Sequence, residues 1–313
     1  MSARQPEPSG PRITSRYPNS VPSDRTEGKR SWIYDLPVQR TLEGSISYFG
    51  DAPGKPTFHA RDHRRDNWRP DIRTVTFRDA RGWAEPPSLR REGVTIAPHR
   101  TKMRDFGDRD EVRRTYAREL EELIREVTGA GKVVGFSFAN MRFSPRHQGY
   151  MDGANSQPAH FPHIDVTPRT SHGLVDTFFG PKEALEPGQV LVGYNIWRVL
   201  SDPPQDMPLA VCDARTVERA DLVEADGVYD AGDPPWITAE AYLVRHNPGH
   251  RWIYFSDMRP DEALIFRAYG NEPSWIPGAP HVAFADPGCP ADAGPRISVE
   301  ARAYAVYDEW PED

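Results

Sequence analysis

The sequence predicts a mainly β protein whose core is a double-sheet β-sandwich or jelly roll. Seven short segments rich in Val, Ile, Tyr and Phe, each bounded by Pro, Gly or Asp, come after a single clear helix. The chain also contains 32 prolines and 24 glycines, which suit the many turns that such a fold requires. With 313 residues, the chain is long enough to bury a substantial core in one domain.

The first part of the chain divides into a tail, a strand and a helix. Residues 1–30 are rich in Ser, Pro, Arg and Gly and almost free of large apolar residues, so we predict a disordered tail followed by one domain over 31–313. Segment 73–82 begins with strand-like alternation and ends in a turn. A helix is predicted over 108–128, because apolar residues recur at spacings of three and four until Gly129 ends the pattern.

The strands of the predicted jelly-roll core begin at about residue 132. Each segment is short, rich in β-branched and aromatic residues, and bounded by turn residues. The predicted strands cover residues 132–143, 190–200, 208–214, 241–246, 251–258, 262–269 and 296–307. Segment 241–255 is predicted to be a hairpin with Asn247-Pro248-Gly249 at its tip, since Pro-Gly is a strong turn signal.

Charge and composition exclude several classes of protein. The net charge is −7 and both signs are spread along the chain, so no basic patch for nucleic acid is expected. No apolar run approaches the ~20 residues of a membrane span, and the N-terminus lacks the apolar stretch of a signal peptide. Cys212 and Cys289 form no Cys-x-x-Cys motif, so we expect two free thiols and a cytoplasmic location.

The stretch HFPHIDVTPRT, residues 160–170, holds two histidines and an aspartate within six positions. If it is extended, His163 and Asp165 lie on the same side, while Ile164 points into apolar packing. An imidazole and a carboxylate placed in this way can bind a metal, and one further histidine would complete a 2-His-1-carboxylate site suited to Fe(II). The chain has ten histidines, so one such spacing can arise by chance and the motif alone is weak evidence.

The C-terminal part of the chain supplies the complementary groups. His281 follows a proline, and Arg296 and Ser298 lie two residues apart on the next predicted strand, hence on one face. A guanidinium binds a carboxylate through two parallel hydrogen bonds and a hydroxyl adds another, which is what the distal carboxylate of 2-oxoglutarate requires. Arg302 has the same strand parity as Arg296, so either arginine could be the anchor.

Some neighbouring residues are further candidates, each with an ordinary structural alternative. Two histidines that flank the predicted turn compete with His281 for the third metal position, but the anchor on the following strand favours His281. Thr167 would either help to hold 2-oxoglutarate or satisfy a turn. Asn195 and Arg198 point to opposite faces of their strand, so only one of them can face the site.

The chain resembles the hydroxylase/desaturase family of Fe(II)/2-oxoglutarate-dependent oxygenases in the ordered blocks VGYNIWRVL, MPLAVCDARTV, HRWIYFSDMRPDEALIFRAYG, PHVAFADP and PRISVEAR. This family includes the cephamycin 7α-hydroxylase component, gibberellin desaturase-like proteins and fungal meroterpenoid oxygenases. The resemblance runs from about Arg73 to Trp310 and implies a double-stranded β-helix, a cupin-like jelly roll with flanking helices. It also implies Fe(II) bound by His163, Asp165 and His281, with 2-oxoglutarate and O2 as co-substrates.

The activity that the resemblance implies is removal of a hydrogen atom from a small molecule of secondary metabolism, as in antibiotic biosynthesis. The product would be hydroxylated or desaturated. Two alternatives stay open at this point. One is a jelly-roll accessory protein that assists a partner enzyme of the same pathway; the other is a cupin-like isomerase or lyase that uses the metal without 2-oxoglutarate. The pair of Arg296 and Ser298 distinguishes the oxygenase from the second alternative.

Overall fold

The computed structural model describes residues 40–310 apart from 61, 137, 152–155, 180–185, 187, 230–236 and 272–277. The predicted tail over 1–30 lies outside the described residues.

Within the described residues the chain is mainly β, as predicted. The strands are β1 (Thr41–Asp51), β2 (Thr57–His59), β3 (Arg69–Asp79), β4 (Val94–Pro98), β5 (Lys132–Gly135), β6 (Asn140–Phe143), β7 (His163–Ile164), β8 (Val190–Val199), β9 (Leu209–Cys212), β10 (Leu222–Tyr229), β11 (Ile237–Val244), β12 (Trp252–Tyr254), β13 (Glu262–Gly270), β14 (His281–Ala283) and β15 (Ile297–Tyr307).

The predicted helix is present, and a second helix was not predicted. The first begins as α1 (Arg109–Glu111), passes through a π-helical turn (Val112–Tyr116) and continues as α2 (Ala117–Thr128). Gly129 ends it with a φ of 73°, which a glycine adopts without strain. The second helix is α3 (Pro168–Phe179). No helix within the described ranges is both long and apolar enough to cross a membrane.

The strands form two sheets whose inner faces pack together. The first sheet has nine strands in the order β1-β3-β12-β9-β14-β7-β11-β10-β2. The second has the order β4-β13-β8-β15-β5, and β6 also pairs with β15. One apolar cluster contains residues of both sheets, such as Trp197 on β8 and Val211 on β9, so a shared core lies between them. Four strands before residue 100 join these sheets, which therefore extend upstream of the core predicted from about 132.

The predicted hairpin over 241–255 is wrong. The turn itself is present, because the backbone N–H of His250 donates to the carbonyl oxygen of Asn247. The strands on either side do not pair: β11 lies between β7 and β10, whereas β12 lies between β3 and β9. A turn signal fixes only the local reversal of the chain, while the pairing partners of a strand are set by the whole sheet. The single strand predicted over 132–143 is likewise divided into β5 and β6.

Side-chain alternation gives the second sheet two different faces. On β8, Val192 and Ile196 pack in the apolar cluster that contains Leu120 of α2, so this face is covered by the helix. Asn195 and Trp197 have the opposite parity to Ile196 and face the first sheet. The same alternation on β15 sends its alanines toward the helix. The residues of the other parity on this strand point between the sheets, where the candidate site lies.

Candidate metal centre and active site

Two histidines meet across neighbouring strands on the inner face of the first sheet. His163 on β7 and His281 on β14 are direct register partners, and their ring centroids are 4.3 Å apart. Both rings lie on this face because their chain neighbours Ile164 and Val282 pack into the apolar cluster on the other face. Asp165 follows His163 by two residues and returns to the same side. The shared-side geometry predicted for the His-x-Asp stretch is therefore present.

Backbone carbonyl groups orient both imidazole rings. Nδ1 of His163 lies 3.0 Å from the carbonyl oxygen of Phe161, and Nδ1 of His281 lies 3.4 Å from that of Ala279. When each Nδ1–H donates to its carbonyl, the Nε2 lone pair is left for a metal, as is usual for ligating histidines. The two Nε2 atoms lie 3.6 Å and 3.5 Å from the carboxylate oxygens of Asp165.

The donor set of this cluster fits Fe(II). One ligand atom from each of His163, Asp165 and His281 lies within 4.8 Å of the other two. Nε2 of His281 is buried and has no hydrogen-bond partner in the described protein, a cost that a bound metal would remove. Burial, and then the neighbouring His163, lowers the pKa of His281 to about 3, so the ring is in its neutral, ligating form. Two imidazoles and one carboxylate are the donors of non-haem Fe(II) oxygenases.

Asp165 is held in place by two residues of the second sheet. Nδ2 of Asn195 on β8 donates to Oδ2 at 2.5 Å, and a guanidinium nitrogen of Arg302 on β15 lies 2.8 Å from Oδ1. Arg302 and Asn195 are themselves register partners, and Nε of Arg302 donates to Oδ1 of Asn195 at 2.9 Å. Burial alone would raise the pKa of Asp165, but Arg302 and the two histidines outweigh it and hold the pKa well below its usual range. The carboxylate is therefore ionised and fixed in orientation.

A cavity of about 60 Å³ is lined by both histidines and by Asp165. The apolar lining consists of Phe58, Ala60, Pro158, Ala159, Phe161, Trp197, Leu209 and Ala283. The polar lining beyond the three clustered residues consists of His63, Arg142, Gln157, Tyr229, Arg296 and Glu300. The cavity wall includes Phe58, Ala60 and His63, which come from a segment for which the sequence alone indicated no role. Apolar and polar residues share the wall almost equally, so the cavity suits a molecule that has both apolar surface and polar groups.

Arg296 is the buried cation of this cavity. The residue is 1% exposed, and one terminal nitrogen donates to the carbonyl oxygen of Met207 at 2.8 Å. Its Nε is buried without a partner in the described structure, and the guanidinium carbon lies 5.7 Å from the ring centroid of Trp197. Burial lowers the pKa of Arg296, and Asp206 compensates only in part. A desolvated guanidinium with an unused N–H is suited to receiving a carboxylate.

The remaining candidates are turned toward other partners. Arg302 contacts Asp165, as described above, and is not among the lining residues of the cavity. The hydroxyl of Ser298 is buried, and its nearest acceptor is the carbonyl oxygen of Arg142 at 3.5 Å. The hydroxyl of Thr167 donates to Oε1 of Glu240 at 2.8 Å. Thr167 also precedes α3, where its carbonyl accepts the first helical hydrogen bond, so the observed contacts match the turn interpretation.

Two residues that the sequence offered as alternative site candidates, His250 and Arg198, have structural roles in the described protein. His250, one of the histidines beside the predicted turn, is buried, with Nε2 3.1 Å from Asp221 and Nδ1 3.2 Å from the hydroxyl of Tyr48. Its side chain therefore supports the turn before β12, and it is not among the residues that line the cavity. Arg198 donates to the hydroxyl of Tyr116 on the helix-covered face of β8. Arg198 therefore points away from the site, and Asn195 on the opposite face of β8 contacts Asp165, as the predicted alternation requires.

Sequence reasoning missed five polar residues of the cavity, which are His63, Arg142, Gln157, Tyr229 and Glu300. Glu300 has the same strand parity as Arg296, so its position between the sheets was available from the alternation of β15. Arg142 lies opposite Ser298 in the register of β6 and β15, a pairing that no local pattern shows. Tyr229 ends β10 at the far side of the first sheet. Only the complete sheet order brings these residues together.

A two-sheet β fold with two histidines and a carboxylate in the lining of one cavity is the arrangement of non-haem metal oxygenases. The family model described as an oxidoreductase/YMDC permease-like domain matches residues 46–306. The Fe(II)/2-oxoglutarate-dependent dioxygenase nvfI of Aspergillus novofumigatus is 31% identical over 242 residues, which cover 75% of this chain and 83% of the relative. The chain belongs to the family of Fe(II)/2-oxoglutarate-dependent dioxygenases, as its motifs predicted.

Further relatives agree with this assignment. The hydroxylase/desaturase efuI of Hormonema carpetanum is 29% identical over 292 residues, covering 86% of this chain and 96% of the relative. A solved structure of the iron and alpha-ketoglutarate-dependent endoperoxidase NvfI matches with a TM-score of 0.72 at 24% identity, covering 85% of this chain and 98% of that one. This likeness confirms the jelly-roll fold. Membership supports the oxygenase over the accessory protein and the cupin-like isomerase or lyase, and Fe(II), 2-oxoglutarate and O2 are its cofactor and co-substrates.

Proposed function

We propose that His163, Asp165 and His281 bind Fe(II), and that Arg296 receives the distal carboxylate of 2-oxoglutarate in the cavity beside them. One observation carries the proposal: three donor atoms in the lining of one cavity converge within 4.8 Å, and one of them, Nε2 of His281, is buried with no partner among the described residues. Because Arg296 and Arg302 have the same strand parity, the sequence alone did not decide which of them binds the distal carboxylate of 2-oxoglutarate. Their contacts favour Arg296, because Arg302 already neutralises Asp165.

The chemistry of the reaction divides between the cofactor and the chain. Iron with 2-oxoglutarate and O2 supplies the oxidant that removes a hydrogen atom from the substrate. The chain holds the ligands in one protonation state, since its carbonyls fix the histidine tautomers and Arg302 keeps Asp165 ionised. Trp197 and Phe161 form part of an apolar wall that keeps water from the reacting atoms.

The substrate of this proposal is a small molecule of secondary metabolism, and the product is hydroxylated or desaturated. Two observations support it: a cavity with both apolar and polar walls, and a relative named as a hydroxylase/desaturase. The reaction is placed in the cytoplasm, where the free thiols of Cys212 and Cys289 would stay reduced. A partner enzyme of the same pathway would act on the same molecule before or after this step.

Anaerobic calorimetric titration with Fe(II) tests the metal site. His163→Ala, Asp165→Ala and His281→Ala are each expected to lose measurable iron binding while the far-ultraviolet circular dichroism of the fold is retained. His172→Ala is the matched control, because His172 is an exposed histidine of α3 whose ring contacts Tyr269. Iron affinity unchanged in all three site variants would remove the proposed centre. Loss of affinity in the control as well would show a general effect of histidine removal.

A further inference from the structure

Glu300 is a buried carboxylate that the proposed reaction does not use. It lies on β15 with 7% of its surface exposed, and it lines the cavity. Among the described residues, no donor makes a hydrogen bond to its carboxylate. The nearest cationic nitrogen belongs to Arg302, 3.8 Å from Oε1. That guanidinium is already committed to Asp165 at 2.8 Å, and Arg142 acts on Glu300 as a second nearby positive charge.

A carboxylate that lines a cavity and receives no protein donor keeps acceptor oxygens available to a bound molecule. Carboxylates removed from water are normally compensated by hydrogen bonds or close ion pairs, and the exceptions are concentrated at functional sites. In agreement with this, burial, and then the nearby Asp165, raise the pKa of Glu300. The side chain faces the cavity because Glu300 follows Arg296 by four residues, and side chains an even number of residues apart on a strand lie on the same face. The unused acceptor therefore points to where a substrate would lie.

The surrounding charges decide which donor the carboxylate would accept. Arg142 and Arg296 line the same cavity, and Arg302 lies close behind Glu300. A substrate ammonium group would gain one carboxylate and meet three guanidinium groups together with the cation of the metal site. A neutral hydroxyl has no such repulsion and can still donate one hydrogen bond. The apolar wall that includes Phe58 and Phe161 suits the rest of such a molecule.

We propose that Glu300 recognises the substrate by accepting a hydrogen bond from an alcohol hydroxyl of a neutral molecule. This inference rests on the proposed function, since it places the substrate in the cavity beside the iron and 2-oxoglutarate sites. The hydrogen bond would orient the molecule and leave a C–H bond facing the metal. Glu300 would then determine which substrates are accepted and would take no part in binding either cofactor.

The binding test uses matched alcohols and methyl ethers on cyclohexane and decalin frames, with the protein loaded anaerobically with Fe(II) and 2-oxoglutarate. Ligand-observed NMR is expected to show that wild-type protein prefers each alcohol to its ether by roughly tenfold or more, as for a hydrogen bond to a charged group. Glu300→Leu should remove this preference, and Glu300→Gln, which keeps an acceptor oxygen, should retain part of it. Equal binding of alcohols and ethers to wild type, absence of binding by both, or preference for the corresponding amines would overturn the proposal.

A stability measurement separates substrate recognition from a structural role. Because no described residue donates to Glu300, the melting temperature of Glu300→Leu is expected to equal or exceed that of wild type. A marked fall would show that the carboxylate supports the fold, and the proposal would be wrong. The visible charge-transfer band formed by Fe(II) and 2-oxoglutarate should persist in both variants. If wild type itself lacks this band, the proposed function fails; if the band is present without an alcohol preference, only the role of Glu300 fails.

Discussion

Replacement of Arg296 by leucine is expected to weaken 2-oxoglutarate binding by about two to three decades and to leave iron affinity nearly unchanged. The guanidinium is 1% exposed, has one hydrogen bond to the carbonyl of Met207, and keeps a buried Nε without a partner. A co-substrate carboxylate in this position would be as desolvated as the arginine. Without the arginine it would be a buried charge with no counter-ion.

The magnitude follows from this burial. Removing one partner of a buried, hydrogen-bonded charge pair typically costs about 3–5 kcal/mol. At ~1.4 kcal/mol per factor of ten, this corresponds to a loss of two to three decades or more in affinity. Iron affinity should change little, because the guanidinium of Arg296 contacts Met207 and Trp197 and, among the described residues, makes no hydrogen bond or ion pair with the proposed ligands.

Arg302→Leu is the matched comparison on the same strand face. Arg302 is expected to affect the metal, since its guanidinium lies 2.8 Å from Asp165. Loss of a residue that positions a ligand commonly lowers metal affinity by about 10–100-fold. Anaerobic titrations of Fe(II), and then of 2-oxoglutarate through the charge-transfer band, measure both constants for each variant. If 2-oxoglutarate affinity fell only in Arg302→Leu, the anchor would lie six residues further along; if it fell in neither variant, neither arginine would be the anchor.

The remaining predictions concern the ligand support, the core and the pH dependence of stability. Asn195→Ala removes the amide donor to Asp165 and should weaken Fe(II) binding by roughly tenfold or more in calorimetric titration. Tyr48→Phe leaves the buried indole N–H of Trp252 without its acceptor and should cost about 1–3 kcal/mol in urea unfolding, with iron affinity unchanged. Burial lowers the pKa of His99 from 6.5 to about 4, so its contribution to stability is complete above pH 6.5 and is lost as the pH falls toward 4. With allowance for partial exposure this loss is about 1–2 kcal/mol, and urea unfolding of His99→Gln should show a flatter pH profile.

Strand alternation made the site partly predictable. Period-two geometry placed His163 and Asp165 on one side and Arg296 with Arg302 on one face, and the structure has both relations. Parity could not distinguish the two arginines, because it fixes the face of a strand and gives no information on the part of the strand that borders the cavity. That position depends on the register of β15 against β8, which pairs Arg302 with Asn195. Register between strands distant in sequence is set by the whole sheet.

The errors in the predicted fold also arise from contacts between segments that are distant in sequence. Asn247-Pro248-Gly249 marks a real turn, but β11 and β12 enter different parts of the first sheet. Helix α3 was missed although Thr167 and Pro168 form a common start signal, a capping residue followed by proline at the first helical position. The first six residues of this helix, "PRTSHG", include Gly173 and almost no apolar residue, so periodicity gave no indication of a helix. Local chemistry identified the beginnings and ends of elements, and non-local packing decided their partners.

Asp165 connects the two sheets at the site. Both histidines belong to the first sheet, through β7 and β14, whereas Asn195 and Arg302 belong to the second, through β8 and β15. Asp165 follows β7 yet receives its hydrogen bond and its counter-ion from across the cavity. The relative position of the sheets therefore determines the orientation of one proposed ligand and not of the other two. A mutation in the core between the sheets that shifts one of them should disturb Asp165 first, and iron affinity should fall before either histidine moves.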